Sequence, residues 1–286
     1  MRKGRGERMI IGLVGLGLIG GSYAKAIKKY TDHTVYGFNR SVGVIRQAQE
    51  AGVIDGVLDD GNIGNCDMVI ISIYPTDAIE FILSHASRFK KGAVITDACG
   101  TKRRICSEVE KASMDNGFYF IGGHPMAGIE KSGFEASFPE MFGDASLILT
   151  PYQWTPQEAV DVTADLAREL GFGKVKISNP QEHDEMISYT SQLPHVLSCA
   201  FIGSELAEKF DGFSAGSFQD MARVAKLNEV MWSELFIENR EYLCREIDGM
   251  LERLSQLSTQ IRLADREKLR ESLRKSRETK ERIDGK

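Results

Sequence analysis

A glycine pattern near the start of the chain, G-x-G-x-x-G at Gly15, Gly17 and Gly20, strongly limits the folds available to it. It follows the apolar, β-branched run Ile10–Val14 and opens a segment with helical periodicity. At such a turn the first glycine permits the sharp bend, the second lets the backbone approach a pyrophosphate, and the third lets the helix lie close to the strand. The pattern therefore predicts that a dinucleotide binds at Gly15, Gly17, Leu18, Ile19 and Gly20.

Two different patterns divide the rest of the chain. From residue 9 to 178, short β-branched runs alternate with helical periods, which is typical of a doubly wound parallel sheet built from βαβ units. From residue 179 to 286, long 3.6-residue periods remain and strand signals almost vanish. We therefore predict the α/β class, with a Rossmann-like dinucleotide-binding domain over residues 9–178 and an all-helical second domain over residues 179–286.

The individual elements of the first domain follow from the same patterns. The predicted strands are Ile10–Val14, Thr34–Phe38, Met68–Ile73, Ala93–Thr96, Phe118–Ile121, Ser146–Leu149 and Lys174–Ile177. The predicted helices between them are Ile19–Lys29, Val42–Ala51, Thr76–Ser84, Lys102–Asp115 and Pro156–Leu170. Several of these helices begin at Ser, Thr or Pro, which suit an N-cap or a first turn.

The end of the second predicted strand bears on the choice of cofactor. An NAD site usually carries an acidic residue there, which bonds the ribose 2′-hydroxyl, but this chain has Asn39 followed by Arg40 and Ser41. An amide can still bond a hydroxyl, whereas Arg40 and Ser41 suit a 2′-phosphate. NAD and NADP therefore both remain open as cofactors, with a slight preference for NAD.

Composition excludes several classes of function. Lys and Arg total 36 against 41 Asp and Glu, a net charge of −5, which argues against a nucleic-acid partner. No stretch approaches the roughly 20 apolar residues that a membrane helix needs. Five scattered cysteines without a C-x-x-C pair predict reduced thiols and a cytoplasmic location. Neither the cysteines nor the five histidines show the spacing of metal ligands, so no metal site is predicted.

Three further motifs carry polar residues that a packing pattern does not explain. They are His124-Pro125-Met126-Ala127-Gly128, then Leu193-Pro194-His195, then Gly216-Ser217-Phe218-Gln219-Asp220-Met221-Ala222-Arg223. In this order and spacing, from about residue 9 to about residue 260, the sequence resembles the prephenate and arogenate dehydrogenase family of tyrosine biosynthesis. The resemblance implies an NAD(P)-binding Rossmann-like domain, a helical domain that dimerises, and an active site in the cleft between them.

The resemblance also implies roles for individual residues. His124 matches the family's catalytic histidine, and its near-neutral intrinsic pKa suits a general base that accepts a hydroxyl proton. Arg223 matches the substrate-binding arginine, whose planar guanidinium can hold a carboxylate with two hydrogen bonds. His195 matches a pocket histidine with a catalytic or binding role, and Ser191 and Thr101 are further expected substrate contacts. The neighbouring His183 and Asp184 are assigned a structural role.

The implied reaction is the oxidative decarboxylation of prephenate to 4-hydroxyphenylpyruvate, and the alternative is the oxidation of arogenate to tyrosine. One departure from the family concerns the D-x-G-S-T-K motif, which reads Asp97-Ala98-Cys99-Gly100-Thr101-Lys102 here. Gly100 replaces a serine whose hydroxyl lies near the substrate in the family. Thr101, Cys99 or a water remains as its substitute.

Two other functions compete with this interpretation. A β-hydroxyacid dehydrogenase would share the general architecture, but it relies on a serine-glycine-glycine loop where this chain reads Gly123-His124-Pro125. A dinucleotide-sensing protein without catalysis would not need His124 or Arg223.

A homodimer is also expected, because one helix face carries an apolar stripe. The stripe consists of Leu243, Ile247, Met250, Leu254, Leu257 and Ile261. Beyond Ile261 the dense charge run predicts a solvated or frayed helix.

Overall fold

The computed structural model describes residues 8–209, 211–213 and 215–285. Its first half contains one eight-stranded sheet. The strands in chain order are β1 (Ile10–Val14), β2 (Thr34–Phe38), β3 (Gly56–Val57), β4 (Met68–Ile71), β5 (Val94–Asp97), β6 (Tyr119–Pro125), β7 (Ser146–Pro151) and β8 (Lys174–Ile177). The helices of this half are α1 (Leu18–Tyr30), α2 (Val42–Glu50), α3 (Pro75–His85), α4 (Arg103–Asn116) and α5 (Gln157–Glu169).

The strands lie in the order β3-β2-β1-β4-β5-β6-β7-β8, and every neighbouring pair is parallel except β6 with β7. The predicted doubly wound parallel sheet is therefore confirmed, except that this one pair is antiparallel. The chain between β6 and β7 forms loops and short 3₁₀ turns instead of a crossover helix, and strands joined without a crossover run antiparallel. The two-residue strand β3 was not predicted.

Both faces of the sheet are covered by helices, which explains why its central strands are apolar throughout. In β1, Ile11 and Leu13 pack with residues of α1, α2 and α5, whereas Val14 packs on the other face with residues of α3 and α4. In β4, Met68 and Ile70 alternate in the same way with Val69 and Ile71. The glycine turn and the polar residues at the carboxyl ends of these strands are thus held by a rigid core.

The second half is helical, as predicted. Its helices are α6 (Pro180–Ile187), α7 (Leu193–Ile202), α8 (Gly216–Ala222), α9 (Glu229–Glu238), α10 (Arg240–Arg262) and α11 (Arg266–Asp284). A π-helical segment, Ser188–Gln192, joins α6 to α7 just before Pro194. A proline lacks the backbone N–H that an α-helix needs, and the wider π turn accommodates that loss.

The apolar stripe of α10 remains largely uncovered within one chain. Leu243 is buried, but Leu254 is 49% exposed and Ile261 is 63% exposed. The charged segment after Ile261 forms the regular helix α11. None of the helices in the described ranges is both long and apolar enough to cross a membrane.

Candidate active site

A cavity of about 890 Å³ lies where the carboxyl ends of the strands meet the helical half. Its walls include the turns after β1, β4 and β5, the end of β6 with the loop that follows it, and residues from the π segment through α9. In sheets of this kind ligands bind at the carboxyl ends of the strands. Seven of the predicted site residues line this cavity: Gly17, Leu18, Ile19, His124, Ser191, His195 and Arg223.

The glycine turn fits a pyrophosphate group. Gly15 has a φ of +88°, and a Cβ there would lie 2.5 Å from the Ser72 carbonyl oxygen, so only glycine is tolerated. A Cβ on Gly20 would lie 1.8 Å from the Gly15 carbonyl oxygen, which shows how closely α1 packs on the turn. Nothing lies within 4 Å of a Cβ built on Gly17, so this side of the turn is open to an anion at the N-terminus of α1. Gly15 and Gly20 shape the turn and do not line the cavity.

The three residues after β2 lie outside the cavity lining. Asn39 Oδ1 accepts a hydrogen bond from the Leu16 backbone N–H at 3.0 Å, and its amide N–H groups are not used in that bond. The Arg40 side chain is 85% exposed and lies 3.7 Å from Asp77. Ser41 is the N-cap of α2, but its hydroxyl makes no capping hydrogen bond. These groups therefore remain available as donors to a ribose or a phosphate.

His124, at the end of β6, belongs to a chain of three side chains. Its Nδ1 lies 2.8 Å from His183 Nε2, and His183 Nδ1 lies 2.7 Å from Asp184 Oδ1. Asp184 also accepts hydrogen bonds from the backbone N–H groups of Lys102 and Arg103 at the start of α4. A carboxylate at a helix N-terminus satisfies donors that have no partner within the helix. His183 thus contacts the candidate base directly, and Asp184 contacts His183. Both residues, expected from the sequence to be structural, are therefore linked to the candidate base.

These contacts determine the tautomer of His124. A carboxylate only accepts hydrogen bonds, so His183 Nδ1 donates to Asp184 and its Nε2 carries a lone pair. His124 Nδ1 therefore donates to His183, and Nε2 is the unprotonated nitrogen that remains for a ligand. Burial, together with the nearby His183 and Lys102, holds the pKa of His124 well below its usual value. The imidazole is thus neutral and ready to accept a proton.

A buried ion pair lies beneath this strand end. Lys102 and Asp97 are both fully buried and form a salt bridge. Burial is the largest single influence and lowers the pKa of Lys102, but Asp97 together with Cys99 and Cys106 more than offsets it, so the pKa of the lysine is raised. Asp97 Oδ1 also accepts the Gly123 backbone N–H at 3.0 Å. The pair therefore fixes the segment that carries His124, and Lys102 is not available to bind substrate.

His195 is oriented by the π segment and by an aromatic neighbour. Its Nδ1 donates to the Ser191 carbonyl oxygen at 2.8 Å, because a carbonyl can only accept. Its ring stacks on Trp232, with the two ring centroids 3.8 Å apart. Burial lowers the pKa of His195, so Nε2 presents a lone pair. A substrate carboxylate only accepts hydrogen bonds, so it could bind Nε2 only if His195 were protonated. A hydrogen-bond donor on the substrate can bind Nε2 of the neutral ring.

Arg223 lies at the mouth of the cavity and forms an ion pair with Glu130. Its side chain is 64% exposed, so the guanidinium is free to reorient. Glu130 lies six residues after His124, in the loop that follows β6, and was not identified from the sequence. Lys131 and Lys226 also line the cavity and add positive charge for an anionic ligand.

Thr101 does not reach the cavity. It is buried, and its hydroxyl donates to Glu238 Oε2 at 2.5 Å. The prediction that Thr101 contacts substrate is therefore corrected. At Gly100, a Cβ would lie 3.1 Å from Leu235 Cδ1, so a leucine from α9 occupies the space beside the missing serine side chain.

Nothing in the sequence pattern identified Leu235 as a wall of the site.

Among the residues that the structure describes, no group of three or more His, Cys, Asp or Glu could hold a metal ion.

Comparison with known families decides the identity of the chain. Residues 23–176 match the model of the nucleotide-binding domain of prephenate dehydrogenase, and residues 179–275 match the model of its dimerization domain. The chain belongs to the prephenate dehydrogenase family. The predicted family, the α/β fold class with a helical second half, and dehydrogenase activity in tyrosine biosynthesis are thereby confirmed.

Individual members of the prephenate dehydrogenase family are similar over most of the chain. A cyclohexadienyl dehydrogenase of Zymomonas mobilis is 32% identical over 282 residues, covering 94% of both chains. The prephenate dehydrogenase of Bacillus subtilis is 31% identical, covering 90% of this chain and 71% of its own. Prephenate dehydrogenase of Aquifex aeolicus, in a crystal structure with hydroxyphenyl propionate and NAD⁺, has a TM-score of 0.84 and 26% identity, and the match covers 97% of this chain and 99% of that chain.

Proposed function

We propose that this chain oxidises prephenate, with loss of carbon dioxide, to 4-hydroxyphenylpyruvate. The observation that carries the proposal is the chain from Asp184 through His183 to His124, which leaves a basic nitrogen beside a cavity that also includes the glycine turn and Arg223. When bound at that turn, a nicotinamide dinucleotide supplies the hydride acceptor. The protein supplies the base, the orientation of substrate, and a site partly closed to water.

The base in this proposal is His124 Nε2. It takes the proton of the ring hydroxyl as the carbinol carbon is oxidised to a ketone. The ring carboxylate then leaves as carbon dioxide, its bonding electrons flow through the diene to the new carbonyl, and the ring becomes aromatic. This second step is intrinsic to the substrate, so no further catalytic group is needed.

The two carboxylates of prephenate need positive partners. Arg223 exchanges Glu130 for a substrate carboxylate in this proposal, because its exposed guanidinium can turn and hold two oxygens. Lys131 and Lys226 raise the local positive charge and favour the entry of a dianion.

Arogenate is a second candidate substrate, and the orientation of His195 favours it. His195 Nδ1 is committed to the Ser191 carbonyl oxygen, which leaves Nε2 as an acceptor when the ring is neutral. The side-chain ammonium of arogenate can donate to such a nitrogen, whereas the keto group of prephenate cannot. We therefore propose that the enzyme accepts arogenate in addition to prephenate.

For the cofactor we propose that both NAD⁺ and NADP⁺ bind. No carboxylate occupies the position after β2 that would repel a 2′-phosphate, since Asn39 stands there with its amide N–H groups free. The exposed Arg40 can leave Asp77 to pair with that phosphate. The same amide can donate to the 2′-hydroxyl of NAD⁺.

We also propose that the helical half forms a homodimer through α10. The exposed Leu254 and Ile261 would be unusual on a face that met only water, and together they continue a stripe along the helix. Mutual burial of two such stripes is a standard way for helical domains to associate.

The test is a grid of initial rates with prephenate and arogenate, each against NAD⁺ and NADP⁺. Formation of reduced cofactor is followed by absorbance. We expect turnover of prephenate with at least one cofactor and measurable turnover of arogenate. A lack of turnover with prephenate in all combinations would contradict the proposed function, and turnover of prephenate alone would remove the second candidate.

A further inference from the structure

Two carboxylates one turn apart on α9 reach across to the nucleotide-binding half. Glu234 Oε1 accepts hydrogen bonds from the Thr76 backbone N–H at 2.8 Å and from the Thr76 hydroxyl at 2.6 Å. Glu238 accepts from Arg104 Nη1 at 2.7 Å and from the Thr101 hydroxyl at 2.5 Å. The two threonines directly follow turns that line the cavity, one after β4 and one after β5.

These contacts form one continuous network. Arg104 Nη1 also donates to the Thr76 hydroxyl at 2.9 Å, which joins the Glu234 contacts to those of Glu238. The Glu238 side chain is only 6% exposed, so water screens its interaction with Arg104 weakly. Connected polar groups in such surroundings stabilise one another and act as a unit.

The cofactor end of this network is the start of α3. Thr76 lies in the first turn of α3, where backbone N–H groups lack partners within the helix, and Glu234 satisfies one of them. The turn just before it begins at Ser72, whose carbonyl oxygen packs against Gly15. Glu234 thus holds the segment that supports the pyrophosphate turn.

The substrate end of this network consists of other side chains of the same helix. Met231, Trp232 and Leu235 of α9 line the cavity. Trp232 stacks on His195, and Leu235 lies against Gly100. A ligand that orders these side chains therefore also orders the helix that holds Glu234.

We propose that Glu234 is a positioning residue that couples dinucleotide binding to substrate binding, so that each ligand tightens the other. The identity of the two ligands rests on the proposed function. A dinucleotide that fixes the turns before Thr76 and Thr101 also fixes α9, so the second ligand meets a helix that is already ordered. Coupling is reciprocal, because the same free energy links the two sites in both directions.

The test measures binding and not turnover. The Kd of NAD⁺ is determined by titration with and without saturating hydroxyphenyl propionate, for the wild type, Glu234→Ala and Glu241→Ala. Glu241 is the matched control, because it also bridges the two halves through Arg103 Nη1 at 2.9 Å, but it lies on α10 and its side chain is 68% exposed. We expect the propionate to lower the wild-type Kd by about fivefold or more. The ratio of the Kd without the propionate to the Kd with it is expected to fall near one in Glu234→Ala and to stay at the wild-type value in Glu241→Ala.

A second variant separates coupling from folding. Glu234→Gln keeps an acceptor oxygen for Thr76, so it should retain more of the ratio than the alanine variant. A wild-type ratio of one, or a Glu234→Ala protein that is less stable but keeps the full ratio, would overturn the proposal. Turnover of prephenate by the wild type is measured separately, and a coupled enzyme that fails to oxidise prephenate would contradict only the proposed function.

Discussion

His183 Nε2 lies 2.8 Å from His124 Nδ1, and this contact selects which nitrogen of the candidate base faces a ligand. Asp184 accepts a hydrogen bond from His183 Nδ1 on the other side of that ring. The Nδ1 protons of His124 and His183 therefore both point along the chain toward the carboxylate. His124 therefore needs no rearrangement to accept a proton at Nε2. The same logic orients the histidine of other general-base systems, in which a carboxylate fixes the tautomer.

His183→Asn tests the role of this contact. An asparagine cannot offer an aromatic nitrogen lone pair at the same place, so His124 loses the acceptor that keeps its proton on Nδ1. We expect kcat to fall by about 10²-fold, less than on loss of the base itself. Steady-state rates with saturating prephenate measure this, and binding of NAD⁺ should be unchanged. An unaltered kcat would mean that His124 keeps its tautomer without His183.

Arg223→Lys keeps the positive charge but removes the forked geometry. We expect the KM for prephenate to rise, with a smaller effect on the affinity for the dinucleotide. Arg245→Lys is the matched control, since Arg245 also forms a salt bridge with a glutamate but lies outside the cavity lining. If KM stays unchanged in Arg223→Lys, another cation such as Lys131 or Lys226 holds the substrate.

Arg40→Ala should weaken NADP⁺ more than NAD⁺, because only NADP⁺ carries a phosphate for the guanidinium. The difference should be about 1–3 kcal/mol if the contact is direct. Dissociation constants for both cofactors measure it. Arg46→Ala, which removes an exposed arginine of the neighbouring α2, serves as the control. Equal losses for both cofactors would show that Arg40 only shapes the loop.

Leu254→Glu with Leu257→Glu should release monomers that lose activity. The pair places charges in the apolar stripe that the proposed dimer buries, and buried unpaired charges are strongly disfavoured. Sedimentation at assay concentration measures the change. Val162→Glu, on the exposed face of α5, adds a charge outside the helical half and should not alter the mass. A fully active wild-type monomer would contradict the dimer.

Local requirements explain what the sequence predicted well. The positive φ of Gly15 and the close approach of Gly20 are demands on single residues, so they are visible as a glycine pattern. Strands with both faces buried read as continuous apolar runs, and most strand and helix ends fell within a few residues of their observed places. A continuous apolar run does not indicate the direction of a strand, so the antiparallel pairing of β6 with β7 was not predicted.

Long-range contacts explain what the sequence did not predict. His183 was visible as a motif residue, but its contact with His124 joins positions 59 residues apart. Thr101 occupies the expected position in the motif, but its hydroxyl donates a hydrogen bond to Glu238, 137 residues away in the sequence. A motif identifies which residues belong to a site, whereas only the folded chain shows which side chains face the cavity.

The central claim is that neutral His124 accepts the ring hydroxyl proton. Its pKa is held well below the usual value of about 6.5, so the base should be active through neutral pH. Protonation removes the lone pair, so kcat should fall as the pH drops through the lowered pKa, on an acid limb that lies below pH 6.5.

This claim is tested by the pH profile of kcat for prephenate in the wild type and in His124→Asn, with His85→Asn as the control, since His85 is partly buried but lies outside the cavity lining. We expect His124→Asn to lower kcat by about 10²–10⁴-fold, to lose the acid limb and to keep its affinity for the cofactor. If the variant retains most of its kcat and the same acid limb, His124 is not the base, and His195 becomes the better candidate.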